Sequence, residues 1–459
     1  METILLSEVL SFCGGEPRNL TGDDQPVFHI STDSRDIRPG SVFIAIKGEV
    51  FDGHRFVVSA IAQGALCAVV SEVAEEYAHL PLIVVGNTMQ AHIDIGAGYR
   101  SRFSPKIVGV TGSVGKTTTK DMIAAVLSQK YNTLKTQGNF NNEIGLPKTL
   151  FALTREQEAA VIEMGMSARG EIEALSKAVR PDIAVITNIG VSHLQNLGSR
   201  ENILAAKLEI LSGLKKGGPL LLNMDNDLLK TVGKDTYKNI CFYAADNHNA
   251  EYYAKDIREE RFETTFTICH KNEEISAKIP CIGRHNVQNA VCAFAVGSMM
   301  GLTREECLKG LLTYVPSGNR QRIFTSGGVT VMADCYNASP DSMQASLTTF
   351  SSLSCKGRHI AVLGDMLELG EMEEPGHIRV GELCAQLQLD ELICYGPRSV
   401  LYAKGAGDTV KSTHFDNQDA VCNYLKETVR QGDAVLFKAS HSMKLEDIIS
   451  KTYGECENR

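Results

Sequence analysis

The stretch that decides the fold is Ile107–Thr119, which reads IVGVTGSVGKTTT. An apolar run leads into glycines at 109, 112 and 115, and Lys116 and Thr117 then open a helical pattern. Glycines let the backbone turn so that its N–H groups point into one concavity, where phosphate oxygens can sit. The N-terminus of the following helix adds partial positive charge. This order of strand, glycine turn, Gly-Lys-Thr and helix predicts a phosphate-binding loop in an α/β domain.

Each polar residue of the loop has a chemical task in binding a nucleoside triphosphate. Lys116 supplies a cation for the β- and γ-phosphates, and the Thr117 hydroxyl can be a ligand of Mg²⁺. The strict pattern G-x-x-x-x-G-K-[ST] would need a glycine at Val110, so this loop departs from it. The alternative is an ordinary glycine turn that caps a helix, and the order of elements favours nucleotide binding. The predicted nucleotide-binding residues of the loop are Gly112, Ser113, Gly115, Lys116, Thr117 and Thr118.

Strands alternate with helices on both sides of this loop, which indicates parallel sheets with crossover helices. Polar breaks at 101–105 and 316–319 predict three domains, at residues 1–103, 104–316 and 317–459. The predicted fold class is α/β. A central P-loop domain with a mostly parallel sheet is flanked by a small N-terminal α/β domain and a C-terminal Rossmann-like α/β domain. Residues 241–281 are strand-like, and we expect them to form an antiparallel addition to the central domain.

Composition excludes several classes of protein. The 459 residues carry a formal net charge of −9, which argues against a surface for nucleic acids. Thirteen cysteines are scattered singly, so reduced thiols in a cytoplasmic protein are expected. The longest weakly polar run, Ala290–Leu302, is too short for a membrane span. We therefore expect a cytoplasmic monomer with small-molecule partners, no nucleic acid and no membrane span.

Three residues beyond the loop are candidates for a metal site at the carboxyl edge of the sheet. Glu163 ends an apolar strand, and a carboxylate at a strand end usually completes the magnesium site of a P-loop protein. His193 follows a strand that ends in TNIG, and Lys207 lies on a predicted helix. From spacing alone, a solvated glutamate, a satisfied histidine and a solvated lysine remain the alternatives.

Taken together, several motifs resemble the Mur ligases, the ATP-dependent amino acid ligases of peptidoglycan precursor assembly. The motifs occur in the order that the family uses, across essentially the whole chain. The sequences of the first and third predicted domains resemble the branch of this family that adds D-alanyl-D-alanine. The matching stretches are STDSRDIRPGSVFIAIKGEVFDGHRF, TGSVGKTTT, NNEIG, VIEMGMSARGEI, TNIGVSHL, AAKLEI, GRHNVQNA, DCYNASPDSM and VLGDMLELG.

The resemblance implies an ATP-dependent ligase that joins D-alanyl-D-alanine to a UDP-muramoyl tripeptide through an acyl phosphate. Two alternatives stay open: a sister ligase that adds a single amino acid, and a P-loop nucleotide switch or binding module without ligation. The third residue of the tripeptide, lysine or diaminopimelate, cannot be read from the sequence.

The resemblance also implies roles for individual residues. Lys116 would hold the γ-phosphate, Thr117 and Glu163 one Mg²⁺, and His193 a second metal ion. Lys207 matches the position of a carbamylated lysine, whose anionic carbamate can sit near a metal ion. Arg320 and Asp334 match positions from which the third domain reaches the nucleotide. The implied catalytic residues are thus Lys116, Glu163, His193, Lys207 and Arg320. The implied metal ligands are Thr117, Glu163, His193 and Lys207. Beyond the loop, the implied nucleotide contacts are Asn286, Asn289, Arg320 and Asp334.

Substrate contacts are implied in all three domains. Arg35 and Lys47 could neutralise the negative charge of a diphosphate, although the surrounding sequence is also typical of turns. In the third domain, His441 stands where this branch usually has arginine, and a histidine would bind the dipeptide carboxylate more weakly and in a pH-dependent way. The implied substrate-binding residues are Ser31, Asp33, Ser34, Arg35, Lys47, Asp52, His54, Asn141, Asn142, Asn337 and His441.

Overall fold

The computed structural model describes residues 1–22, 24–48, 51–260, 262–316, 318 and 320–454. Within these ranges the backbone forms sheets of five, nine and six strands and one two-stranded sheet. Contacts between residues divide the chain into two compact units. The first unit contains Met1–Thr111, Lys130–Val185 and Lys207–Leu220, and the second contains Gly112–Gln129, Ile186–Ala206 and Leu221–Arg459.

The five-stranded sheet belongs to the N-terminal part of the first unit. Its order is β2-β7-β6-β5-β4, in which β4 to β7 run parallel and β2 runs antiparallel to β7, while β1 pairs with β3. The elements are β1 Ile4–Leu5, α1 Leu6–Cys13, β2 Glu16–Arg18, β3 Pro26–Val27, β4 His29–Ser31, β5 Ser41–Ile44, α2 Val57–Ala62, β6 Ala65–Val70, β7 Leu82–Val84 and α3 Thr88–Arg100. This part is the small α/β domain that the sequence predicts.

Helix α3 ends this part of the chain. Asn87 caps the helix, because its side chain accepts hydrogen bonds from two N–H groups of the first turn, at 2.8 and 3.1 Å. At the other end, the buried guanidinium of Arg100 donates to the carbonyl of Val179 at 2.8 Å. The next strand begins at Lys106, so residues 101–105 form a connection, as their composition predicts.

The nine-stranded sheet contains the phosphate loop. Its order is β16-β15-β14-β13-β12-β11-β8-β10-β9, and β9, β10 and β8 run parallel. Its strands are β8 Lys106–Thr111, β9 Thr133–Lys135, β10 Ala159–Glu163, β11 Ile183–Ile186, β12 Leu220–Asn223, β13 Ile240–Ala244, β14 Tyr252–Glu260, β15 Glu263–His270 and β16 Glu273–Ile279. The helices of this segment are α4 Lys116–Leu127, α5 Gly145–Phe151, α6 Glu171–Val179, α7 Leu194–Leu197, α8 Arg200–Leu208, α9 Arg284–Met299 and α10 Arg304–Leu312.

The addition expected at residues 241–281 is antiparallel only in part. Strands β14, β15 and β16 pair antiparallel, but β13 and β14 run parallel. The loop between them is held by Asp225, whose carboxylate accepts hydrogen bonds from the N–H groups of Ala245 at 2.6 Å and Asn247 at 2.8 Å. This anchored loop returns the chain for a parallel pairing, which a hairpin could not do.

The six-stranded sheet forms the Rossmann-like third part that the sequence predicts. Its order is β17-β18-β22-β19-β20-β21, and only β17 pairs antiparallel within the described residues. The elements are β17 Arg322–Ser326, β18 Val329–Ala333, α11 Pro340–Ser351, β19 His359–Gly364, α12 Glu373–Gln386, β20 Glu391–Tyr395, α13 Val400–Ala406, β21 Lys411–Phe415, α14 Gln418–Thr428, β22 Ala434–Lys438 and α15 Leu445–Tyr453.

The chain returns through β22 between β18 and β19, so the carboxyl end of β22 lies where open α/β sheets bind their ligands. Buried apolar side chains cover both faces of this sheet, against α11 to α13 on one face and α14 and α15 on the other. The break expected at 316–319 includes residues 317 and 319, which lie outside the described residues.

Two further sequence predictions concern membranes and thiols. In the described ranges, we find no helix with the length and apolar character needed to cross a lipid bilayer. The twelve cysteines in those ranges have free thiols, and all but Cys13 and Cys355 are buried. Cys456 lies outside the described residues.

A buried ionic cluster stabilises the amino edge of the third sheet. The Arg358 guanidinium donates to Glu391 at 2.9 Å and to Asp433 at 2.8 Å, and both carboxylates are buried. Burial alone would raise the pKa of Asp433. Hydrogen bonds from Arg358 and from the N–H of Arg430 outweigh that effect and hold the pKa below 3.8.

Replacing Arg358 with methionine should lower the free energy of unfolding at pH 7 by about 2 kcal/mol, because the buried carboxylate of Asp433 loses its guanidinium partner. Glu391 loses one donor but keeps its ion pair with Lys411 at 2.7 Å. The pairing with Asp433 stabilises the fold above pH 3.8 and is lost as the pH falls through the lower folded-state pKa. The difference from the unmodified protein should therefore shrink at pH 3. Urea unfolding at both pH values measures it. Lys404→Met, which removes an exposed pair with Glu374, is the control with little expected effect.

Candidate active site

The phosphate loop is shaped by two glycines whose backbone conformation would be strained for any other residue. Gly112 and Gly115 have φ values of 152° and 85°, and a Cβ on Gly112 would lie 1.9 Å from Thr187 Oγ1. Lys116 is the first residue of α4, and its ammonium donates to the carbonyls of Gly112 at 2.8 Å and Ser113 at 3.4 Å. The cation therefore lies against the loop, at the N-terminus of a twelve-residue helix.

The segment after β11 holds the loop in place. The Thr187 hydroxyl donates to the carbonyl of Val114 at 2.6 Å, and the N–H of Ser113 donates to the carbonyl of Asn188 at 2.8 Å. Two buried polar atoms here, Ser113 Oγ and Asn188 Oδ1, have no hydrogen-bond partner among the described residues. Such atoms are rare in folded proteins unless a ligand satisfies them. A hydroxyl donor inside a glycine loop fits a phosphate oxygen.

Glu163 is a buried carboxylate at the end of β10, with 1% of its surface exposed. It pairs in register with Val110, two residues before the loop glycine at 112. The Asn141 amide donates to Glu163 Oε1 at 2.7 Å, and the Glu163 N–H donates to Thr136 Oγ1 at 3.0 Å. Burial rules out the solvated-glutamate alternative. Asn141 orients this carboxylate, while Asn142 accepts a hydrogen bond from the N–H of Gly145 at the start of α5.

His193 lies at the N-terminus of α7 in a strained conformation, with a φ of 63°. Its Nδ1 is 3.8 Å from the carboxylate of Glu368, whose own φ is 62°. Both residues have left-handed backbone, which costs free energy for residues other than glycine and often marks functional segments. Glu368 belongs to the VLGDMLELG stretch and contributes a carboxylate that spacing had not singled out.

Lys207 is buried near the end of α8, with 2% of its surface exposed. A solvated lysine on a helix surface is therefore excluded. Burial of an ammonium group is costly unless charge and hydrogen bonds compensate it, so this position demands a specific environment for its side chain.

Helix α9 supplies amide side chains beside α4. The Thr119 hydroxyl donates to Asn289 Oδ1 at 2.9 Å, and a Cβ on Gly115 would lie 3.4 Å from the same oxygen. The Asn286 amide donates to Gln321 Oε1 at 2.8 Å. Asn289 therefore lies next to the phosphate loop, and Asn286 is linked to it by the hydrogen bond that Asn289 donates to Asn286 Oδ1 at 3.5 Å.

Thr117 and Thr118 follow Lys116 on α4. The Thr117 side chain is buried, with 5% exposed. Burial raises the pKa of Tyr314, and the Thr118 side chain hydrogen bonds to this tyrosine. Thr118 thus ties the start of α4 to the segment that follows α10.

Arg320, Tyr336 and His441 form a stack. The Arg320 guanidinium lies 3.7 Å from the centre of the Tyr336 ring, a cation–π contact. The Tyr336 and His441 ring centres are 5.3 Å apart. The side chain of His441 is 67% exposed, so it can meet a ligand from solvent.

Asp334 follows β18 and pairs with Lys438 at the end of β22. The Lys438 ammonium, 2% exposed, donates to Asp334 Oδ2 at 2.7 Å and to the carbonyl of Asn337 at 3.1 Å. Ser346 also donates to Asp334 Oδ2, at 2.7 Å. Asn337 uses its side chain locally, accepting from the N–H of Ala338 at 2.8 Å. The carboxylate of Asp334 is thus held by protein groups.

The serine-rich turn of the first domain is internally bonded. The Ser31 hydroxyl donates to the carbonyl of Asp33 at 3.0 Å, and the Ser34 carbonyl accepts from Gln63 at 3.0 Å. Arg35 makes two side-chain hydrogen bonds to Asp33, at 2.8 and 2.9 Å. These hydrogen bonds lower the pKa of Asp33 to about 2. The Arg35 side chain is 88% exposed and remains accessible to a solvent-borne anion.

The second group of this domain is also a bonded turn. Lys47 pairs with Glu72, which raises the pKa of the lysine. His54 is buried, and its Nδ1 and the Asp52 carboxylate are 2.7 Å apart. Its Nε2 accepts a hydrogen bond from the N–H of Ser71 at 3.0 Å. Both ring nitrogens of His54 therefore have protein partners, one in its own turn and one at Ser71.

The second unit brings together the loop residues, the α9 asparagines, Arg320 and Asp334, and it also contains His193, Asn337 and His441. The first unit contains Glu163 with Asn141, and also Asn142, Lys207 and the seven first-domain residues. Sequence reasoning missed Thr187, Tyr336, Gln321 and Lys438. Lys438 could have been found from the sequence. It ends the buried strand β22, and the neighbouring strand β18 is followed directly by Asp334.

Family models match most of the chain in three consecutive segments. The model described as Mur ligase family, catalytic domain, matches residues 26–100. The Mur ligase middle domain matches residues 110–297, and the Mur ligase glutamate ligase domain matches residues 319–441.

Similar curated proteins and solved structures agree with these matches. The UDP-N-acetylmuramoyl-tripeptide–D-alanyl-D-alanine ligase of Bacillus subtilis is 42% identical and covers 93% of both chains. The ligase of the same name from Escherichia coli is 34% identical over 98% of both chains. A MurF structure from Acinetobacter baumannii superposes with a TM-score of 0.90 at 29% identity, covering 99% of this chain and 100% of that one. The Thermotoga maritima MurF ligase in complex with ADP gives 0.84 at 28% identity, covering 93% and 97%.

Proposed function

The chain belongs to the Mur ligase family, and from that premise we propose that it joins D-alanyl-D-alanine to a UDP-N-acetylmuramoyl tripeptide at the expense of ATP. The product is the UDP-muramoyl pentapeptide used in peptidoglycan synthesis, with ADP and phosphate released. The observation that carries the proposal is the 42% identity to the Bacillus subtilis ligase over 93% of both chains. The glycine loop with its lysine supports ATP as the nucleotide.

The reaction needs activation because a carboxylate is a poor electrophile. An oxygen of the tripeptide carboxylate attacks the γ-phosphorus of ATP, and ADP leaves. The amine of the dipeptide then attacks the acyl phosphate carbonyl, and the tetrahedral intermediate loses phosphate and a proton to give the amide. The protein contributes mainly positioning and neutralisation of charge.

The residues of the phosphate loop fit the first step. Lys116 lies at the helix N-terminus, where its charge adds to that of the backbone N–H groups. The unsatisfied Ser113 hydroxyl can donate to a phosphate oxygen. We expect Asn286 and Asn289 to contact the adenine edge, and Arg320 and Asp334 to approach the nucleotide from the third domain.

Thr117, Glu163, His193 and a carbamylated Lys207 are proposed to hold two Mg²⁺ ions, which would neutralise phosphate charge when bound. Among the described residues, no group of three or more His, Cys, Asp or Glu side chains forms a metal cluster. Mg²⁺ is often bound by one or two carboxylates together with substrate phosphates, which suits these single ligands. The buried carboxylate of Glu163 is oriented by the Asn141 amide, which donates to its Oε1, and it would be the carboxylate ligand of one ion.

We also propose which residues contact the substrates and where the three domains begin and end. The first-domain group Ser31, Asp33, Ser34, Arg35, Lys47, Asp52 and His54 would contact the UDP-muramoyl part, Asn141 and Asn142 the peptide region, and Asn337 and His441 the dipeptide. The proposed limits are 1–103, 104–316 and 317–459, and the three separate family matches support them. We further propose a cytoplasmic monomer, in keeping with the free thiols of the described cysteines.

Phosphate release distinguishes a ligase from a nucleotide switch. A ligase should release phosphate from ATP only when the UDP-muramoyl tripeptide and D-alanyl-D-alanine are both present. The assay compares the complete mixture with mixtures that lack one substrate. Equal phosphate release with neither substrate would contradict the proposal.

Replacing His441 with arginine should lower the KM for D-alanyl-D-alanine about threefold to tenfold, because a guanidinium is always charged and binds a carboxylate through two hydrogen bonds. Initial rates at several dipeptide concentrations measure the effect, with kcat within about twofold. The same substitution at the exposed His79 of the first domain is the control. An unchanged KM would mean that His441 does not touch the dipeptide.

A further inference from the structure

Gln321 has an unusual backbone and an unusual position. Its φ is 51°, in the left-handed region that favours glycine. It directly follows Arg320, whose guanidinium stacks on Tyr336. A residue of this kind keeps a strained backbone only where surrounding contacts fix it, so the contacts of Gln321 indicate what the strain serves.

On one side, Gln321 holds the N-terminal turn of helix α9. Its Oε1 accepts hydrogen bonds from Asn286 Nδ2 at 2.8 Å and from His285 Nε2 at 2.9 Å. Asn286 Oδ1 in turn accepts a long hydrogen bond of 3.5 Å from Asn289. Asn289 Oδ1 accepts from Thr119 on α4 at 2.9 Å. A chain of side-chain hydrogen bonds thus leads from Gln321 to the helix that begins at Lys116.

On the other side, Gln321 holds the carboxyl edge of the third sheet. Its N–H donates to Asp334 Oδ1 at 3.3 Å. The second oxygen of Asp334 accepts from the buried Lys438 at 2.7 Å and from Ser346 at 2.7 Å. The strands that carry Asp334 and Lys438 are neighbours, with Ala333 in register with Phe437. This end of the series of hydrogen bonds is therefore anchored by buried strands of the third sheet.

We infer that Gln321 is a positioning residue that couples nucleotide binding at the P-loop to the third domain. Its single acceptor oxygen fixes the α9 asparagines, and its backbone N–H fixes Asp334. Asn286 and Lys438 are buried and Asp334 is 14% exposed, so a shift at one end would break hydrogen bonds with little access to replacement by water. The inference deepens the proposed function and rests on it for the position of the nucleotide.

The test compares two variants of equal length. Gln321→Glu keeps an acceptor oxygen for Asn286 and His285, whereas Gln321→Met removes it, and both keep the same backbone strain. The dissociation constant of Mg·ADP, measured by calorimetry on the full chain, should rise about fivefold in Gln321→Met and stay within about twofold in Gln321→Glu. In ligation assays, kcat should fall in Gln321→Met alone, with the KM for the UDP-muramoyl tripeptide unchanged.

Gln388 provides a matched control. It is a second glutamine with left-handed backbone, φ 54°, but it is exposed and lies just after the end of α12. Gln388→Met should leave ADP affinity and kcat unchanged. Equal ADP affinities for Gln321→Met and Gln321→Glu, whether both normal or both weakened, would overturn the inference. A protein that binds Mg·ADP in this pattern but makes no pentapeptide would refute the proposed function and leave the coupling standing.

Discussion

Replacing Lys116 with alanine is expected to reduce turnover about 10³-fold, because the variant loses the cation that we propose for the γ-phosphate. Lys116 lies at the first turn of α4 and is held by the loop carbonyls of Gly112 and Ser113. The ammonium is therefore already oriented before nucleotide binds, and no neighbouring side chain of the loop carries positive charge. Initial-rate measurements at saturating ATP, tripeptide and dipeptide give the effect on kcat.

Lys130→Ala is the matched control, since this exposed lysine follows the same helix and should leave kcat within about twofold. Thermal unfolding of both variants verifies that they are folded. Ligation by Lys116→Ala at near-normal rates would rule out the assignment of the phosphate loop.

Replacing Lys207 with alanine should reduce turnover about 10²-fold or more, because the variant would lack the anionic carbamate that we propose near the transferring phosphate. Lys207 is buried, so a small carboxylic acid could occupy the space that the side chain leaves. We expect added acetate or formate to restore part of the activity of this variant. Assays with increasing acetate at constant ionic strength measure the rescue.

Lys215→Ala is the control for this rescue. Lys215 is half-exposed and pairs with Asp182 at 2.6 Å, so its loss should change neither turnover nor the response to acetate. Full activity of Lys207→Ala without added acid would contradict the carbamate role.

The phosphate loop could be predicted from sequence because its determinants are local. Glycine positions, Lys116 and the start of α4 depend on a few consecutive residues, and the structure has α4 beginning at Lys116. Glu163 could be located at a strand end because it directly follows an apolar run of four residues, Ala159–Ile162. Its burial, and that of Lys207, could not be read from spacing, because burial depends on which elements pack over these side chains.

Features that depend on residues far apart in the sequence could not be predicted from it. The parallel pairing of β13 with β14 depends on Asp225, which is distant in sequence from the loop that it anchors. The left-handed backbone of Gln321 and the Asp334–Lys438 pair depend on contacts between separated segments. In the first domain, the turn alternative fits Asp33 and Ser34, whereas Ser31 ends strand β4. Only the structure shows that His54 bonds both to the nearby Asp52 and to the N–H of the distant Ser71.

Mass spectrometry of the product tests the central claim most directly. The protein is incubated with Mg·ATP, UDP-N-acetylmuramoyl tripeptide and D-alanyl-D-alanine, and the nucleotide-linked product is weighed. We predict the UDP-muramoyl pentapeptide, with a mass increase of one dipeptide less water and one ADP formed for each product. A product extended by a single amino acid, or ADP formation with the tripeptide unchanged, would contradict the account.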